Sequence, residues 1–132
     1  MAKEFINPPN VFDARKKMHF SQAIKTGNTI YLAGQVAWDE NGNLVGKGDF
    51  EAQERQTFEN IKRILQAAGA SMKDIVWILW LCRDIKDGLK VRQTSAYKEY
   101  FGDHDPPGTL IQVVNLGGPD TLLEVQVIAV VD

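Results

Sequence analysis

One carboxylate stands where an ionised group is costly. Glu124 lies inside Leu122-Leu123-Glu124-Val125-Gln126-Val127-Ile128, a run whose composition predicts a largely buried strand. In a strand, Glu124 shares a face with Leu122 and Gln126 and points away from Leu123, Val125 and Val127. Burial raises a carboxyl pKa toward the range in which the group both takes and gives protons, the property of a general acid–base. A carboxylate that caps backbone amides, or pairs across a subunit interface, satisfies the same pattern.

Other residues capable of chemistry are thinly spread. His19 and His104 stand far apart, and no Cys/His spacing suggests zinc, so no metal is expected. His19 adjoins Phe20, a position open to a polar contact. Cys82, the only cysteine, ends an apolar run; it fits a small core residue better than a nucleophile and excludes an intramolecular disulfide. Gly46-Lys47-Gly48 lacks the spacing of a phosphate-binding loop.

The elements that must position these groups follow from pattern. Residues 19–36 read as a hairpin turning at Thr26-Gly27-Asn28, and Asp39-Glu40-Asn41-Gly42-Asn43 as a loop. Asp49 is the N-cap of a helix from about Phe50 to Ala68, with Phe58, Ile61, Ile64, Leu65 and Ala68 as its apolar stripe and Gly69 as its left-handed stop. Ile75 to Cys82 shows no polar alternation and predicts a strand covered on both faces, with Trp77 and Trp80 of opposite parity. A second helix is expected over Leu89–Phe101. Two closing strands follow at 108–115 and 121–131, joined through Gly117-Gly118-Pro119-Asp120. The order predicts an α+β layer with helices on one face of a mixed sheet. One layer leaves the other sheet face bare, which predicts self-association.

Composition bounds the rest. The 132 residues fit one domain, 1–132. A net charge of −2 leaves no basic footprint for nucleic acid. The N-terminus has no apolar core of signal-peptide length, and the longest apolar run, Ile75 to Cys82, is far too short for a membrane span. A cytoplasmic protein is expected, with no nucleic-acid or membrane partner.

Several motifs in order resemble one family. They are Phe20-Ser21-Gln22-Ala23-Ile24, Gly27 through Gln35, Val45-Gly46-Lys47-Gly48-Asp49 with Ala52-Gln53, Asn60-Ile61, Leu65 through Ser71, Asp74-Ile75-Val76, Tyr97 with Tyr100-Phe101, and Pro106 through Val130. Together they are similar to the reactive-intermediate deaminase (Rid, YjgF-like) family over more than a hundred residues. The resemblance implies a chorismate-mutase-like layer of a mixed six-stranded sheet with two helices on one face. It also implies a homotrimeric barrel with small-molecule sites in clefts between subunits. Family deaminases hydrolyse 2-imino or enamine acids without a cofactor. Carried across, Glu124 is the acid–base, Phe20 the aromatic, and Gly34-Gln35 the pair that positions water and nitrogen. Gly108 occupies the position of the arginine that grips the substrate carboxylate, followed by Thr109.

That substitution matters. A charge-assisted hydrogen bond contributes roughly 1.5–3 kcal/mol, and glycine carries no charge. Arg83 and Arg92 are either substitutes for it or solvated surface residues, and the amides of Gly108 and Thr109 remain free to hold an anion. Phe20 for the usual tyrosine, Ala33 for the usual serine and Gly108 for arginine all shift the cleft toward lower polarity, so a more apolar ligand is expected. The resemblance therefore implies a trimer with altered or lost deaminase chemistry. The alternatives are a working imine or enamine hydrolase using Glu124 and water, and a non-catalytic ligand-binding, regulatory or chaperone-like trimer.

Overall fold

The structure is a computed structural model describing residues 2–132. Its strands are β1 (Lys3–Ile6), β2 (Ala23–Thr26), β3 (Thr29–Leu32), β4 (Ile75–Cys82), β5 (Gly108–Gln112) and β6 (Leu123–Val130). They form one six-stranded sheet in the order β1-β2-β3-β6-β4-β5. Neighbours are antiparallel except the parallel pair β4–β5. A parallel pair requires a crossover, and here the crossover carries two short helices, α3 (Ile85–Gly88) and α4 (Ser95–Phe101). Together with α1 (Ala14–Met18) and α2 (Phe50–Ala67) these are the helices of the layer. The α+β layer expected from the pattern is the one observed.

The long helix α2 forms for reasons written in its ends. The Asp49 side chain accepts the Ala52 N–H at 3.1 Å, satisfying a first-turn donor. At the other end Gly69 has φ +80°, with Gly69 N–H on Gln66 O and Ala70 N–H on Leu65 O, the paired bonds of a Schellman stop. Between them Phe58, Ile61, Ile64 and Leu65 are fully buried, in one core with Ile30, Ile78, Trp80, Val125 and Val127.

Strand β4 spans the expected residues, but one chain covers only one of its faces. Ile78, Trp80 and Cys82 are buried beneath the helices, whereas Trp77, Leu79 and Leu81 are half-buried on the opposite face. Register continues that outer surface across the sheet: Phe5, Ile24, Tyr31, Ile128 and Trp77 are paired in succession on β1, β2, β3, β6 and β4. Phe5 and Tyr31 are exposed there.

Three expectations are corrected. The helix expected over Leu89–Phe101 begins only at Ser95, because the Thr94 hydroxyl caps it by accepting the Tyr97 N–H at 3.0 Å. Upstream, Gly88 closes α3 so tightly on β4 that a Cβ there would lie 2.5 Å from Cys82 Sγ. The hairpin is confined to residues 23–32, with Gly27 and Asn28 as its loop; residues 19–22 instead leave α1 through His19 at φ +62°. The closing strands are also shorter than expected, and neither β1 nor α1 was anticipated.

Thr94 has a second role. Its O–H donates to Glu54 Oε1 at 2.6 Å, and Glu54 is fully buried in α2 with Oε2 unpartnered. Burial, resisted only in part by the Thr94 bond, pushes the Glu54 carboxyl up to about 8. A raised acid favours the folded state below its ordinary value, and that contribution is lost as pH climbs through about 8. Glu54→Gln is therefore expected to match wild type in stability near pH 4.5 and to exceed it by several kcal/mol at pH 9. Paired melting curves across that range check this; a gap that does not widen with pH refutes it.

Candidate active site

Past Leu32 the chain leaves β3 and crosses the start of β6. Gln35 N–H donates to Val125 O at 2.7 Å and Val125 N–H to Gln35 O at 2.9 Å, which sets Gly34 directly against Glu124. A Cβ at Gly34 would lie 2.2 Å from Glu124 Oε2, so the missing side chain is what admits the carboxylate to this position.

Glu124 faces a cavity of about 440 Å³, within the size range of ligand pockets. Phe20, Ala33, Gly34 and Gln35 line the same cavity. The structure thus brings those four and Glu124 together in one chain. Glu124 accepts no hydrogen bond from the described residues, and burial alone raises its carboxyl pKa. It is also the only charged residue among those lining the cavity. Gln35 is nearly buried: its Nε2 donates to Gln22 Oε1 at 2.7 Å and to Ala33 O at 3.1 Å, while Gln22 Nε2 donates to Phe12 O at 2.9 Å. This relay of amides ties Gln35 to the Phe12 carbonyl just before α1.

Gly108 and Thr109 do not reach this cavity. They line a separate recess of about 260 Å³ beside Trp80 and Arg92. Gly108 is pressed onto β4, where a Cβ would lie 1.8 Å from the Ile78 carbonyl oxygen. The two arginines weighed above are both tied to backbone. Arg92 donates to Pro106 O at 2.7 Å and to Tyr97 Oη at 3.1 Å, with its guanidinium over the Trp80 ring. Arg83 donates to Pro119 O. Neither lines the Glu124 cavity. His19 lines a neighbouring surface groove with Arg15 and Tyr31. His104 bonds the Ile75 carbonyl at 2.7 Å through Nε2, and Cys82 is buried in the core.

Sequence reasoning missed the apolar part of the cavity. Phe12 and Trp38 meet edge to face, centroids 5.0 Å apart at 74°, and Met18 and Leu116 extend the same wall. The available signal was Trp38 only three residues beyond Gln35, in a stretch otherwise rich in turn formers.

Among the described residues no helix is long and apolar enough to cross a membrane. The chain matches the family model described as Endoribonuclease L-PSP over residues 13–131. It is 40% identical over 110 residues to a RutC family protein of Pyrococcus horikoshii, covering 83% of this chain and 85% of that one. It is 38% identical over 107 residues to the 3-aminoacrylate deaminase RutC of Acinetobacter baylyi, covering 81% and 82% respectively. Among solved structures, the Rid-family protein YyfA of Yersinia pestis superposes with a TM-score of 0.88 at 31% identity, over 98% of this chain and all of that one.

Proposed function

We propose, from the premise that the chain belongs to the Rid/YjgF family, that it is a cofactor-independent hydrolase of carbon–nitrogen double bonds with an altered substrate. The observation that carries this is Glu124: a carboxylate held against Gly34 in a cavity, without a hydrogen-bond partner among the described residues and with its pKa raised by burial. Such a group is suited to taking and returning protons. A relative at 38% identity bears the name of a deaminase.

The chemistry balances with water as the only co-reactant. Water adds through its oxygen to the carbon of a protonated imine, and the carbon–nitrogen π pair moves to nitrogen. Glu124 takes the water proton, giving a neutral carbinolamine, and returns it to nitrogen. The carbon–nitrogen bond then breaks as the hydroxyl proton passes to Glu124 and the carbonyl forms. Ammonia leaves and takes that proton as ammonium, restoring the carboxylate.

The working form we propose is a homotrimer, formed by burying the apolar row from Phe5 to Trp77 between subunits. In it the Glu124 cavity opens on a cleft to which a neighbouring subunit brings the Gly108–Thr109 recess. Light scattering is expected to give three times the 14.8 kDa chain mass. The activity is tested by ammonia release, and by loss of semicarbazide-trappable imine, over a panel of freshly generated imines and enamines with and without carboxylates. Wild type is expected to accelerate hydrolysis of at least one. If none decays faster than in buffer, the hydrolase reading fails and a non-catalytic binding trimer takes its place.

A separate prediction isolates geometry from folding. In Gly34→Ala the atoms nearest the new methyl all belong to the Glu124 side chain rather than to backbone, so the fold is retained and the carboxylate is displaced. We expect kcat/KM to fall about 10–100-fold while the melting temperature moves by less than about 3 °C. Unchanged kinetics in a well-folded variant would show that the Glu124 position is irrelevant to turnover.

A further inference from the structure

Resting on that reading of the site, we infer that its ligand carries a nitrogen cation joined to an aromatic or equally bulky apolar group, and no carboxylate. The cavity lining is of two unlike kinds. Glu124 is its charged group, and among the described residues lining the cavity there is no lysine, arginine or histidine. Its apolar part is Phe12 and Trp38, an edge-to-face pair, with Met18, Phe20 and Leu116. Ser21, Gln22, Gln35 and Asn60 add uncharged polar groups.

Charge decides against an anionic ligand. A carboxylate drawn in beside Glu124 places like charges together in a partly desolvated space whose lining in this chain holds no cation. Of the nearby cations, Arg83 and Arg92 (the latter carried with the Gly108–Thr109 recess) bond backbone carbonyls, Arg15 lines the adjoining groove with His19 rather than this cavity, and Lys17 Nζ stands 5.7 Å over the Phe12 ring centroid without lining the cavity. A protonated imine is itself a cation, so it matches the single carboxylate.

Size and surface decide for a ring. A dry cavity of about 150 Å³ lined by apolar side chains is enough to hold benzene, and this one is about 440 Å³. A methyl-sized substituent leaves the space beside Phe12 and Trp38 empty, whereas an aromatic group fills it, face to one ring and edge to the other. One extra methylene in an apolar pocket is worth about tenfold or more in discrimination, and a ring adds several carbons.

The experiment is calorimetric titration of the full-length protein with three stable probes: 2-phenylethylammonium, ethylammonium and phenylpyruvate. We expect 2-phenylethylammonium to bind at least tenfold tighter than either of the others. Met18→Trp, which plugs the apolar part from its exposed rim, should erase the advantage over ethylammonium. Tighter binding of phenylpyruvate, equal binding of the two amines, or a ring preference untouched by Met18→Trp would each overturn the inference. The imine panel separates this result from the hydrolase reading. Selective binding without turnover of any imine upholds the ligand class and removes the hydrolase; turnover that favours carboxylate-bearing imines does the reverse.

Discussion

Glu124→Gln is expected to lower kcat/KM by about 10²–10⁴-fold, the usual contribution of a positioned proton-transfer group, with no loss of thermal stability. The amide keeps the volume of the carboxylate and its place against Gly34, but it cannot shuttle a proton between water and nitrogen. Stability should hold or rise, because the carboxylate makes no hydrogen bond with the described residues and burial alone raises its pKa. Removing an unpartnered, desolvated charge takes away a penalty rather than a bond. The pH profile adds a second check. The carboxylate is the form that accepts the water proton, so wild-type kcat/KM should fall as pH drops through a value above the ordinary 4.5. In Glu124→Gln that acid limb should vanish along with most of the rate. A large drop in melting temperature with a retained acid limb would mark Glu124 as a structural residue and another group as the base.

Much of the frame was legible because its signals are local. Asp49, the stripe from Phe58 to Leu65 and Gly69 lie on one continuous helix, and β4 announces itself by eight apolar residues in a row. The crossover was less legible: Val91, Ala96 and Tyr97 are all buried, so apolar spacing ran through a segment in which Gly88 and Thr94 impose a stop and a new start. Strand β1 is short and carries Lys3 and Glu4, and its pairing with β2 joins residues about twenty apart. For the site, strand alternation placed Glu124 on the face opposite the core, and family resemblance supplied Gly34. The Phe12–Trp38 wall depends on the Gln35–Val125 bridge and on the fold of the 33–38 segment over β6. Those contacts span ninety residues in one case and are carried by no periodic pattern.

Gly108 shows how the same residue changes meaning once its surroundings are known. In sequence the family resemblance implies that it stands where an arginine would, which makes Gly108→Arg an attractive graft; in the fold, no side chain of any length fits there without moving backbone. The conflict sits at the first atom, 1.8 Å from the Ile78 carbonyl oxygen and 2.8 Å from Ile78 Cγ2, where the obstacle is β4 itself rather than a flexible side-chain end. Ile78 is fully buried, and its N–H bonds Pro107 O at 3.0 Å. Relief therefore requires β5 to lift from β4 along their parallel register. Both Gly108→Ala and Gly108→Arg are expected to lose about 3 kcal/mol or more, at the upper end of overpacking costs, which corresponds to a melting temperature lower by roughly 10 °C. Thr109→Ala, one residue on and exposed, should stay within about 0.5 kcal/mol of wild type. Denaturant titration of the three variants decides the matter. If alanine is harmless and only arginine destabilises, the cause is the length and charge of the arginine rather than the approach of β4. If both are harmless and Gly108→Arg gains turnover of carboxylate-bearing imines, β5 is free to shift and the glycine is a tuned specificity residue.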